Sequence, residues 1–196
     1  MALFTESQIR DRFQQEFRNR SRETRYFSAT TILNENRQIA DSIKEFDIFL
    51  SHSSNDKEII AGLSLILQDM GYTVYVDWGD PGLDRNNVSP ETAAILRERM
   101  KQSKSLIYAF SENASNSKWM PWELGYFDGL KDSKIAVLPI SQSSQFSYKG
   151  TEFVGLYYHI QIDKILNTDN DAIWVYNGDD YVNYKYWING EKPYKH

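Results

Sequence analysis

Apolar and polar positions alternate along this chain at two different periods. FDIFLS (46–51) is a short apolar run, and in the segment after it Ile59, Leu63, Ile66, Leu67 and Met70 recur on one helical face. Asn55 with Glu58 three residues on forms a capping arrangement for that helix, and Gly71 stops it. YTVYVDW (72–78) predicts a second strand, and SPETAAILRERM a second helix with Ser89 as N-cap and Pro90 at its first position. SLIYAF (105–110), KIAVLPI (134–140) and FVGLYYHIQI (153–162) predict three more strands, with a helix opening in SKWMPWELGYFDG (117–129) between the first two. Apolar strands separated by crossover helices predict an α/β fold: a flavodoxin-like, doubly wound, parallel five-stranded sheet covered on both faces.

The two ends of the chain read differently. Residues 1–44 predict an N-terminal helical extension: Ile9, Phe13 and Phe17 recur at helical spacing behind Phe4, with Arg10, Arg12, Arg18, Arg20, Arg22 and Arg25 between and after them. This is an amphipathic helix expected to pack on the main domain, 45–164, with its arginines in solvent. Residues 165–196 predict a C-terminal extension, a hairpin around Asn177-Gly178 rich in Trp174, Tyr176, Tyr181, Tyr184, Tyr186 and Trp187 and packed on the domain. Residues 141–152 read as a polar loop.

Composition narrows the function classes. With 22 Lys+Arg against 27 Asp+Glu and a formal net charge of -5, a nucleic-acid surface is not expected. The absence of cysteine removes disulfides, thiolate metal sites and cysteine nucleophiles, and no apolar run reaches membrane-spanning length, so the chain reads as cytoplasmic with no membrane partner. Asp77, Asp80, Asp84 and Glu91 lack the spacing of a calcium loop, and no metal is expected. Neither a Gly-rich dinucleotide fingerprint nor a P-loop occurs, which argues against redox use of NAD and against NTP hydrolysis.

A doubly wound sheet binds ligand at the carboxyl ends of its strands. Those ends carry Ser51, His52, Ser53 and Ser54, then Asp77 and Trp78, then Ser111, Glu112 and Asn113. Trp119 and Glu123, one turn apart, start the helix that faces the same rim. Pro121 is comfortable only in a first helical turn, which puts Trp119 at the helix mouth and predicts that it reaches into the cleft. Taken alone, the residue types also allow Trp119 to pack in the core and Glu123 to complement the helix N-terminus. Phe49, Ser51, His52 and Ser53 equally suit ordinary strand and turn roles, and a lone histidine such as His52 is more often a hydrogen-bonded structural residue than a base.

DIFLSHSSNDK, the long loop WGDPGLDRNNVSP and SKWMPWELGYFDG stand in an order and spacing that resemble a bacterial Toll/interleukin-1 receptor (TIR) domain over residues 46–164. The small stand-alone architecture is similar to the NAD-processing TIR proteins of Thoeris-type anti-phage defence. The resemblance implies NAD+ as substrate with no cofactor, and cleavage of the nicotinamide–ribose bond to ADP-ribose or a cyclic ADP-ribose-type signal. It implies a catalytic Glu123, a substrate site at Trp119, Phe49, Ser51, His52, Ser53, Asp77 and Trp78, and an assembly loop of Asp80, Pro81, Gly82, Asp84 and Arg85. Self-association through TIR–TIR contacts, a phage-derived trigger and a downstream effector that reads the nucleotide product are the partners it implies. The chemistry suits one carboxylate. The departing pyridinium is already cationic and leaves neutral, so the acid of a glycosidase pair is dispensable, and Glu123 is suited to hold ribose hydroxyls and meet the developing oxocarbenium charge. The flat indole of Trp119 is suited to a planar ring or cation. The alternative is a non-catalytic TIR scaffold, which needs no acid at this rim. A nucleoside deoxyribosyltransferase-like enzyme also places a carboxylate on such a sheet, but the long loop and Trp119 argue against it.

Overall fold

The computed structural model of the chain describes residues 4–21, 28–40, 44–78, 83, 88–130, 134–142 and 152–195. Its centre is the parallel sheet expected from the sequence. The strands β2 (Phe46–Ser51), β3 (Val74–Tyr75), β4 (Ser103–Phe110), β5 (Ile135–Ser141) and β6 (Tyr158–Lys164) lie in the order β3-β2-β4-β5-β6, which is 2-1-3-4-5 counted from Phe46. The central strands read as unbroken apolar runs because both of their faces are buried. Ile48, Leu50, Ile107, Ala109, Ala136 and Leu138 join one core with α1 (Glu6–Ser21), α2 (Ala29–Ala40) and α3 (Lys57–Asp69). Phe46, Phe49, Leu106, Tyr108, Ile135 and Val137 join the other, with α4 (Pro90–Lys101) and α5 (Met120–Leu130).

Of the two capped helix starts expected from the sequence, one formed as expected. Ser89 caps α4, its side chain accepting from the Thr92 amide at 3.2 Å, and Pro90 is the first helical residue. The cap of α3 differs from the expected Asn55–Glu58 arrangement: Asp56 is the N-cap residue, and its side chain makes no capping bond. Of the run 72–78 only Val74 and Tyr75 pair, as befits an edge strand. The run 153–162 divides into a 3-10 turn, Glu152–Leu156, and β6, with Gly155 inside the turn and Leu156 exposed.

Both extensions join the same sheet. Strand β1 (Phe4–Thr5), unforeseen in the sequence, pairs parallel with β5 at Phe4↔Ile140 and Thr5↔Ser141, beyond the residues that pair with β6. The hairpin at the other end forms as expected from β7 (Asp171–Asn177) and β8 (Asp180–Asn183) around Gly178, whose φ of 63° needs glycine. It adds antiparallel to the edge of β6, extending the sheet sideways. Its predicted second strand ends early, because Asn183 caps a short helix α6 (Tyr184–Ile188) that buries Tyr184 and Trp187. The Tyr184 hydroxyl lies 2.8 Å from Ser105 Oγ, and the Lys134 ammonium donates to the Trp187 carbonyl at 2.6 Å. A backbone bridge between Tyr181 and Tyr194 covers the outer edge of β8.

Helix α1 packs on α3 through Ile9 and Phe13, as its periodicity predicts. Its arginines do more than face solvent. Arg10 pairs with Glu58 at 2.7 Å, Arg12 with Asp69 at 2.7 Å, and Arg20 with Glu35. Arg22 and Arg25 lie outside the described residues. The helices meet so closely that a Cβ on Gly62 would stand 2.3 Å from the Ile9 carbonyl oxygen. Gly62→Ala is therefore expected to destabilise the fold by about 1–3 kcal/mol. Gly125→Ala, on the exposed side of α5 with nothing within 4 Å, should be neutral or stabilising by up to about 1 kcal/mol. Thermal melting of the two variants checks this contrast in sign.

Candidate active site

The site is assembled where β2 ends and α5 begins. Ser51, the last residue of β2, sits beside Tyr108 of β4, which places its side chain at the carboxyl rim of the sheet between the two central strands. Glu123 lies in the first turn of α5, with its amide donating to the Trp119 carbonyl at 2.8 Å. The two meet: Ser51 Oγ donates to Glu123 Oε2 at 2.6 Å, and both residues are 0 % exposed. The short hydrogen bond to a carboxylate and the start of a helix, where the backbone dipole favours negative charge, both stabilise an acid in this buried position.

Trp119 is placed differently from the expectation. It is only 4 % exposed, packed edge to face on Trp122 at 5.3 Å in the same core cluster as Phe49. The indole packs in the core and does not reach into an open cleft. Proline in the first turn fixes how far along the helix Trp119 lies, not which way it points. Phe49 is likewise buried, against Tyr75 at 5.4 Å.

His52 is fully buried and hydrogen-bonded in the manner of a structural residue. Its Nδ1 lies 2.9 Å from the Leu50 carbonyl, which can only accept, so Nδ1 carries a proton. Nε2 faces Asp77 Oδ1 at 3.5 Å, the ring stacks on Trp78 at 5.6 Å, and Lys57 Nζ stands 4.8 Å from the centre of that indole. Ser53 builds the turn after β2: its carbonyl accepts from the Asp56 amide at 3.2 Å and its Oγ from the Asn55 amide at 3.4 Å. Ser51, His52, Asp77 and Trp78 thus gather at one rim, as the strand ends require. Asp80, Pro81, Gly82, Asp84 and Arg85 of the expected assembly loop lie outside the described residues.

Asp56 is a rim residue that sequence reasoning missed. It is buried and accepts from Ser111 Oγ at 2.5 Å and Asn113 Nδ2 at 2.6 Å. The available signal was an acid at a helix start facing a polar strand end, and it points equally well to an ordinary cap. Beside Ser111 opens a cavity of about 320 Å³ that also includes Glu112, Ser141 and Gln142. A larger cleft of about 800 Å³ lies away from this rim, between Arg12 and Asp69 on one side and Ala172, Asn183 and Lys185 on the other. Among the described residues, no group of three or more His, Asp or Glu side chains could hold a metal ion, and no helix is long and apolar enough to cross a membrane.

Comparison with known proteins decides the family, since residues 48–170 match the TIR domain. The chain belongs to the TIR domain family. Nearly its whole length is also similar to a "Probable 3' cyclic ADP-D-ribose synthase ThsB'" of Bacillus cereus (strain MSX-D12), at 44% identity over 191 residues, covering 96% of this chain and 98% of the relative. A "Putative cyclic ADP-D-ribose synthase TIR2" of Cytobacillus dafuensis is 32% identical over 85 residues, 42% of this chain and 22% of that protein. The matched TIR region contains Ser51, Asp56, Trp119 and Glu123, while β1, α1, α2 and α6 lie beyond it.

The placement of Trp119 has a measurable consequence. Removing a buried indole costs about 3–5 kcal/mol, so Trp119→Ala should lower the melting temperature by roughly 10 °C. Trp119→Phe, which keeps an aromatic ring against Trp122, should lose much less. Differential scanning calorimetry reads both.

Proposed function

We propose that this TIR protein breaks the nicotinamide–ribose bond of NAD+ and closes the resulting ADP-ribosyl group into a cyclic ADP-ribose-type signal, in Thoeris-type defence against phage. The observation that carries this reading is a fully buried carboxylate, Glu123, held by Ser51 Oγ at 2.6 Å at the carboxyl rim of the sheet. The full-length similarity to a protein named as a cyclic ADP-ribose synthase supports the product class.

In the proposed reaction the C1–N bond of the nicotinamide ribose breaks and its electron pair leaves with nicotinamide, neutralising the pyridinium. Glu123 stabilises the cation left on the ribose. A nucleophile within the same ADP-ribosyl group then bonds to C1, and a hydroxyl nucleophile gives its proton to Glu123 and thence to solvent. If water bonds instead, the product is linear ADP-ribose. Ser51 aims the carboxylate, while Phe49 and Trp119 form the rigid wall behind it. His52, Ser53, Asp77 and Trp78 line the approach. NAD+ is the substrate, and the reaction as written needs no cofactor.

The complete burial of Glu123 gives the second reading its footing: a TIR scaffold that binds other TIR domains and does no chemistry would have no need to expose it. One assay separates the two. Purified protein with NAD+ under a crowding or assembly stimulus, followed by mass spectrometry, should give nicotinamide and a cyclic product, and Glu123→Ala and Glu123→Gln should each lower turnover by about a hundredfold or more. Ser51→Ala, which removes a hydrogen bond to a charged group, should lower it by about tenfold. Near wild-type turnover in Glu123→Gln would sink the enzymatic reading.

The same burial implies that substrate enters only when the rim opens. Self-association through the loop bearing Asp80, Pro81, Gly82, Asp84 and Arg85, prompted by a phage-derived trigger, supplies that opening in this reading, and the nucleotide product carries the signal to a downstream effector. The Asp84→Ala/Arg85→Ala double variant is expected to lose activity and light-scattering oligomers in parallel, at an unchanged melting temperature. Full activity in a strictly monomeric double variant would rule the assembly step out.

A further inference from the structure

We infer that Asp56 is a positioning residue that fixes the width of the active-site crevice and thereby decides whether the ribosyl cation is captured internally or by water. The inference rests on the proposed NAD+ chemistry. In this sheet order, the loops after β2 and β4 are the two walls of the crevice at the topological switch. Asp56 belongs to one wall and grips the other.

Its position makes the grip informative. An aspartate at a helix N-cap ordinarily turns back to the amides of the first turn, yet the Asp56 side chain makes no such bond. Its oxygens are committed across the crevice, Oδ2 to Ser111 Oγ at 2.5 Å and Oδ1 to Asn113 Nδ2 at 2.6 Å, in a site where Asp56 is 3 % exposed. Ser111 Oγ also accepts from the Asn113 amide at 3.2 Å, so the loop being gripped is itself closed. On the near side the Asp56 amide donates to the Ser53 carbonyl, and the carboxylate therefore holds the whole turn that follows Ser51. Ser51 carries the hydrogen bond to Glu123. Releasing the grip lets the two walls part next to that bond, and a wider crevice admits water to the cation that Glu123 stabilises.

The ratio of cyclic to linear ADP-ribose reports this directly, because it does not depend on how much of the sample is folded. The full-length chain is incubated with NAD+ under a crowding stimulus that favours assembly, and early products are separated by liquid chromatography and identified by mass spectrometry. Asp56→Ala should lower the ratio about fivefold, the effect of losing hydrogen bonds that hold the walls. Asp56→Asn should stay within about twofold of wild type, since its amide can accept from Asn113 and donate to Ser111. Asn113→Ala, which removes one of the two bonds from the far wall, should shift the ratio in the same direction by less and serves if Asp56→Ala does not fold. An unchanged ratio in Asp56→Ala or Asn113→Ala, with nicotinamide still released, overturns this inference and leaves the proposed activity standing. So does a fall in Asp56→Asn as large as in Asp56→Ala, or a wild type that yields linear ADP-ribose alone. A wild type that releases no nicotinamide under that stimulus overturns the proposed activity and this inference with it.

Discussion

A carboxylate taken out of water must be met by donors, and the bond from Ser51 to Glu123 is where this fold meets that requirement. Desolvating an ion costs several kcal/mol even after a protein relaxes around it. Two elements far apart in sequence must therefore be held in register to within a few tenths of an ångström. The central strands do this. β2 is paired on both sides, by β3 and β4, so its last residue cannot shift without breaking a ladder. Helix α5 is seated by Met120, Leu124 and Phe127 in the core beneath it. The Ser51–Glu123 contact at the rim thus depends on the apolar burial beneath it.

The terminal segments reinforce the same frame from outside the matched family region. Ile9 and Phe13 of α1 lie buried on α3, and that apolar contact outweighs the arginine pairs above it, because Arg10 and Glu58 are 43% and 50% exposed and such pairs contribute little. At the opposite end of β2, Asp47 binds Lys104 at 2.9 Å and Thr73 at 3.0 Å. Burial opposes its charge, but these hydrogen bonds hold its carboxyl below the usual range. Their stabilising contribution is present at neutral pH and is lost as pH falls below the ordinary carboxylate value. The Tyr184 hydroxyl reaches Ser105 of β4, which itself donates to the Asp47 carbonyl, tying α6 to the strand that flanks the site.

What the sequence disclosed, and what it hid, follows the range of the interactions involved. Apolar runs such as FDIFLS and SLIYAF were legible because strands buried on both faces must be apolar throughout, and the Ser89-Pro90 start and the Asn177-Gly178 turn because their partners lie within a few residues. Strand β1 was not, since two residues are too few to show a period and its partner is β5. Tyr184, Tyr186 and Trp187 favour strands by residue type, yet the Asn183 cap and the burial of two of the rings make them helical. At the site the sequence put Ser51 and Glu123 on one rim, from strand ends and helix starts, but did not show their hydrogen bond. The depth of Trp119 and the grip of Asp56 were not legible either, because both depend on groups brought near only by the folded sheet, in the second case Ser111 and Asn113.

Burial serves the chemistry proposed here in a second way. An internal nucleophile wins over water only if water is kept out, and a closed rim over Glu123 does that before any substrate arrives. The same closure opposes substrate entry. In the proposed scheme the enzyme rests in a state that protects its reagent and excludes NAD+, and the free energy needed to part the walls limits its activity together with the acid. Any ligand or neighbouring subunit that favours the open form by its differential affinity raises the competent fraction in proportion. In the proposed scheme the product carries information only if the crevice stays shut until something pulls it open.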